Sequence, residues 1–198
     1  MKILAAYVRF VDSMTEWFGK VAMYVVMITV FVGFANVVLR YVGKAIGIRL
    51  TSNLVIELQW YLYSLIFFFG FAYILKNGVN VRVDFWFAEQ SRKTKAWIDI
   101  IGHTVSLIPF TIIALWVTWT PVLTSWGRRP NGEWGTWEMS PDPSGLPRAP
   151  IKSMIIFAFL MLLLQGIAEL LKLYAIVRDK ETEMGTAVIE LDAPIRIE

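Results

Sequence analysis

The sequence predicts an all-α integral membrane protein: four transmembrane helices, with an amphipathic helix lying in the interface between the second and third. Three observations predict it. The 198 residues are 57% hydrophobic and only 18% charged, whereas soluble domains carry about 25% charge. Four windows, 21–39, 58–75, 104–127 and 153–168, contain no Asp, Glu, Lys or Arg. All 19 basic and 16 acidic residues therefore fall at the borders of these windows.

A hydrocarbon core of about 30 Å needs roughly 20 apolar residues per helical span. Backbone groups within it must be hydrogen-bonded internally, which leaves helices as the only solution for windows of this length. The spans are expected at about 18–41, 55–76, 98–120 and 152–177, in one membrane domain over 1–180. Residues 181–198 read as a flexible cytoplasmic tail. The first span is too long for a signal-peptide core and reads as an uncleaved anchor. Lys and Arg number 12 on the side of the N-terminus and 7 on the other. Both termini are therefore expected in the cytoplasm.

The connections differ in kind. Residues 41–56 form a polar loop. In 80–97, Arg82 and Asp84 precede Phe85, Trp86 and Phe87 and then a basic cluster. Asp suits a helix N-cap, and aromatics followed by cations suit a helix in the headgroup layer. The long connection 121–152 holds Pro130, Pro141, Pro143, Pro147 and Pro150. Those residues predict an ordered, non-helical excursion with a turn at Pro143-Ser144-Gly145.

Polar groups beside a membrane are costly unless paired or solvated. Asn36 and Arg40 share a face at the end of the first span, and Glu57 begins the second at the same depth. They are expected to form a clamp, Arg40 to Glu57 with Asn36 beside it, or else to meet a partner subunit. At the other end lie Lys76, Asp99, His103, Glu169 and Lys172, with Gln165 on the face of Glu169. These groups sit within about a turn of the interface, so pairing or snorkelling is expected rather than a proton relay. Trp116, Trp119 and Trp126 fit an aromatic belt. Trp134 and Trp137, preceded by Arg128 and Arg129, form a possible docking loop, because Trp and Arg are favoured interface anchors.

Composition also removes function classes. There is no cysteine, which excludes disulfides, thiolate nucleophiles, iron–sulfur clusters and sulfur-ligated zinc. His103 is the one histidine, so a bis-histidine haem within this chain is excluded. The net charge of +3 is explained by orientation and anionic lipid rather than by nucleic acid. No hydrolase, phosphate-loop or metalloprotease motif occurs, and no charge falls mid-span. The chain is expected to have no catalytic, substrate-binding or metal site of its own.

Several stretches resemble the small membrane subunit of tripartite ATP-independent periplasmic (TRAP) transporters, the DctQ-like family. They are Asn36-Val-Val-Leu-Arg40-Tyr41, then Glu57 with Gln59 and Trp60, then Gly70 through Gly78 leading into Val81-Arg82-Val83-Asp84. Ser140-Pro-Asp-Pro-Ser-Gly145-Leu-Pro-Arg148-Ala-Pro-Ile-Lys152 and Gln165-Gly-Ile-Ala-Glu169 complete the order. Asn80 departs from the histidine the family often has there. The resemblance implies a non-catalytic subunit in the bacterial inner membrane that scaffolds a large permease subunit of about twelve helices. It also implies help in docking a periplasmic substrate-binding protein that delivers organic acids. No cofactor is implied; bound phospholipid is expected. Two further readings remain: an anchor subunit of a quinone- or haem-linked redox enzyme, weakened by the lone His103, and an autonomous small transporter, weakened by the uncharged mid-membrane.

Overall fold

A computed structural model describes residues 2–79, 84–87 and 89–180, with only the backbone of Asp84 and Phe85. The described residues form six α-helices: α1 (Lys2–Ile46), α2 (Asn53–Lys76), α3 (Asp84–Phe87), α4 (Arg92–Gly102), α5 (Ile108–Ser125) and α6 (Arg148–Val177). A five-residue π-helical turn, His103–Leu107, joins α4 to α5. The rods Lys2–Ile46, Asn53–Lys76, Arg92–Ser125 and Arg148–Val177 are long and apolar enough to cross a membrane. The expected all-α membrane fold with four spanning helices is what the chain adopts.

α1 has 45 residues, about 67 Å at 1.5 Å per residue, against a hydrocarbon core of about 30 Å. The helix begins at Lys2, ahead of the span expected from about residue 18, because the charged segment keeps one small apolar face. Ala5, Val8 and Val11 pack on Ala168 and Ala175 of α6, with Tyr7, Leu164 and Leu171 around them. Small residues let backbones approach closely where lipid gives no hydrophobic drive to association. α2 ends where Asn77 and Gly78 close it: Gly78, at φ +65°, donates its N–H to Leu75, and Val79 donates to Ile74. A left-handed residue here caps the last carbonyls, and glycine adopts it without strain.

The third rod is interrupted by its own sequence. Pro109 cannot donate to residue 105, and its ring crowds that carbonyl. The π turn immediately before it takes up the misfit, as such turns commonly do. Of the interfacial amphipathic helix expected between the second and third spans, the described residues show the four-residue α3. Ser91 then caps a new helix, its Oγ accepting from Thr94 N at 3.2 Å, and the basic residues Arg92 and Lys93 become the first turn of the third rod. Arg82 lies outside the described residues.

α6 is the axis of the assembly. It packs against α1, α2, α4, the π turn and α5, while α1 also packs on α2. A third of its apolar window is buried, against about a tenth or less in the other three. Aromatic rings bridge the helices: Phe18 lies on Phe69 and Phe157, and Phe159 meets Phe71 and Phe110. Where α1 and α2 come closest, a Cβ at Gly19 would lie 2.1 Å from the Tyr73 ring, so that crossing depends on glycine.

Candidate functional site

Polar chemistry is gathered at the two ends of the bundle. At the loop end, α5 stops at Ser125 and the chain turns back through Gly127, at φ +98°. A Cβ there would stand 2.5 Å from the Gly135 carbonyl oxygen. Gly135 N donates to Gly127 O at 2.7 Å, and Arg129 N donates to Glu133 O at 2.8 Å. The predicted turn at Pro143-Ser144 is present, closed by Gly145 N donating to Asp142 O at 3.1 Å. The long connection is thus a built structure with its own ladder.

Two carboxylates fasten it. Glu57 of α2, 3% exposed, accepts from the Ser140 hydroxyl and from the Leu146 backbone N–H. Glu138 accepts from Lys152 Nζ of α6 at 2.5 Å and from the Ser125 hydroxyl. The bond from Lys152 and then that from Ser125 hold the Glu138 carboxyl below the usual glutamate range, and the Arg148 charge adds to this. Arg148 Nε itself is buried with no hydrogen-bond partner among the described residues. Tyr61 Oη donates to Pro147 O at 2.7 Å, and Trp126 Nε1 donates to Ser153 Oγ at 2.7 Å. The loop is therefore tied to α2, α5 and α6 at once. Its outer surface presents Arg128, Arg129, Trp134 and Trp137 to solvent, the tryptophans 64% and 52% exposed.

The expected Arg40–Glu57 clamp does not form. Arg40 is exposed and makes no ion pair among the described residues, and Asn36 is half-buried. α1 continues to Ile46 and turns at Gly47, at φ +72°, where Ile48 N donates back to the Gly43 carbonyl at 2.9 Å. This leaves Arg40 on the outward arc with Val38 and Tyr41. Glu57 instead takes donors from a loop 83 and 89 residues away.

At the end carrying residues 2 and 180, the five sequence-predicted groups separate into three places. Glu169 and Lys172 join a closed ring centred on Gln165, which is fully buried. Gln165 Oε1 accepts from Thr15 Oγ1 at 2.7 Å; its Nε2 donates to Asp12 at 2.9 Å and to Glu169 at 2.8 Å. Lys172 Nζ donates to the same two carboxylate oxygens, each at 2.8 Å. Lys76 pairs with Glu16 at 2.6 Å. Asp99 and His103 stand apart on the third rod. His103 Nδ1 lies 2.7 Å from the Asp99 carbonyl oxygen, and both residues line a cavity of about 530 Å³ with Leu75, Ser106 and Phe110.

Sequence reasoning missed Asp12, Thr15, Glu16 and Glu138. The first three carried a readable signal: two carboxylates spaced i, i+4 with a threonine between them, in a segment whose other charges are basic. Glu138 carried none, since its partners are set by the loop's return path.

The described residues thus combine polar locks at each end of the bundle with an ordered loop surface that exposes Arg128, Arg129, Trp134 and Trp137. The family described as tripartite ATP-independent periplasmic transporters, DctQ component, matches residues 27–175, three-quarters of the chain. No curated protein and no solved structure matches it. The chain belongs to the DctQ family and is the small permease subunit of a TRAP transporter.

Proposed function

We propose that this subunit is the fixed, non-catalytic scaffold of an organic-acid transporter in the bacterial inner membrane. It anchors the large permease subunit, and its external loop helps dock the periplasmic substrate-binding protein. Both termini would then face the cytoplasm. One observation carries the reading: the connection between α5 and α6 is locked to three helices through Glu57, Glu138 and Trp126, yet it keeps Trp134 and Trp137 exposed. A surface rigid before contact loses less entropy on binding, and buried tryptophans are frequent energetic anchors of interfaces.

The test uses the small and large subunits reconstituted together, with the binding protein in solution. Trp134→Ala is expected to weaken binding-protein capture about thirtyfold, the loss of about 2 kcal/mol typical of such an anchor. The two membrane subunits should still co-purify. Unchanged capture would remove the docking role. A large subunit that is stable and transports fully without this chain would remove the scaffold role.

A further inference from the structure

α1 carries two seams. One is used: Val8, Thr15 and Ala22 are buried at seven-residue intervals. The other is bare. Ile3, Phe10, Trp17, Tyr24, Phe31 and Val38 also recur every seventh residue, and they are 85, 66, 59, 57, 71 and 42% exposed. At 100° per residue the two seams lie about 140° apart on the helix, so neither is an overflow of the other.

Within the span, Met23, Val26, Met27, Ile28, Val30 and Phe34 are exposed around this seam as well, as contact with lipid asks. Among the described residues before residue 20, Leu4 is the one exposed large hydrophobic off it, and that selective recurrence is what helix packing asks for. The recurrence also persists through residues 2–20, which carry Lys2, Arg9, Asp12, Glu16 and Lys20. Glu16 meets Lys76, the charged end of the second window. From there to Lys2 is about 20 Å of further helix, so Ile3 and Phe10 stand beyond the hydrocarbon. Ala6 and Ser13, also exposed, lie between the large side chains and leave room for close approach. Lys2 and Arg9 line its rim and Lys20 stands within it, at the place Ala6 and Ser13 hold in the preceding heptads, all three cations exposed and without an ion pair among the described residues.

We propose that this seam receives one helix of the large permease subunit, which crosses the membrane beside α1 and continues past it with acidic residues facing Arg9 and Lys20. The proposal rests on the scaffold reading and names the face that performs it. A second copy of this chain fits less well. In a shared membrane orientation two α1 helices could pair only in parallel, and Lys20, three residues after Trp17, would then meet its own copy inside the seam.

The test is photo-crosslinking of the full chain co-expressed with its large subunit in bacterial membranes. p-Benzoylphenylalanine, close in shape to an aromatic side chain, is placed at Phe10, Trp17 or Phe31, with Trp116 of α5, 79% exposed, as the control. The expected result is an adduct of this chain with the large subunit from all three seam positions, severalfold stronger than from Trp116. Arg9→Glu combined with Lys20→Glu should reduce the Phe10 and Trp17 adducts severalfold and leave Phe31 unaffected. Adducts between two copies of this chain, adducts with lipid alone, or equal yield from Trp116 would overturn the proposal. Co-purification of the unmodified subunits is measured in the same membranes. If it fails, the scaffold reading fails; if it succeeds without seam adducts, only the seam assignment does.

Discussion

Replacing Lys172 with methionine is expected to cost about 3–5 kcal/mol of stability, the usual penalty for removing one partner of a buried charge cluster. Lys172 is 6% exposed and donates to Asp12 and Glu169 together. Without it, two carboxylates face each other across α1 and α6 with only the Gln165 amide between them. A thermal-shift assay in detergent should show a fall of about 10 °C, and limited proteolysis should open α1 within its first 20 residues before any other segment. The triple variant Lys172→Met, Asp12→Asn, Glu169→Gln removes both signs of charge at similar volume and should recover most of the loss. A Lys172→Met protein as stable as the parent would mean that the ring contributes nothing to the α1–α6 contact.

The second large effect is expected at the opposite end. Glu57→Ala removes the acceptor for the Ser140 hydroxyl and the Leu146 N–H at one stroke, and leaving such donors unpaired is costly. Hydrogen exchange over 140–147 should accelerate tenfold or more, while α1 and α6 keep their protection. Binding-protein capture should fall with it, because Trp134 and Trp137 would no longer be presented on a fixed frame. Unchanged exchange would show that Glu138, Tyr61 and Trp126 hold the loop without Glu57.

Glu138 adds a pH dependence of definite sign. Its carboxyl is held below the ordinary glutamate value of 4.5 in the folded loop. Its contribution is therefore complete above that value and is lost as pH falls below it, through the folded-state pKa. Loop protection should weaken on acidification in the parent, and Glu138→Gln should flatten that dependence.

Much of this molecule was legible because lipid leaves few choices. A window without charge that must span hydrocarbon can only be a helix, and four such windows gave four rods. Charge was a poorer guide to where the rods stop. The first span was expected from about residue 18, yet the helix begins at Lys2, because Ala5, Val8 and Val11 keep a packing face turned to α6. The partner of Glu57 was illegible for another reason. Arg40 was near in sequence and in depth, but Ser140 and Leu146 arrive from beyond the third rod, and only the folded loop reveals that return. The π turn falls between these cases: Pro109 announced a disturbance without specifying its form.

That α6 is the axis also dictates an order of assembly. α1 and α2 can pair as soon as both have left the ribosome, since their contact needs no later segment. The third rod has no such early partner among the described residues, for α4 and α5 find their main neighbour in the fourth rod, α6. Until residue 177 is inserted, the newborn subunit consists of a hairpin and a lone helix adrift in the same bilayer. A chain ended before Arg148 would keep its first three spans and lose its interior.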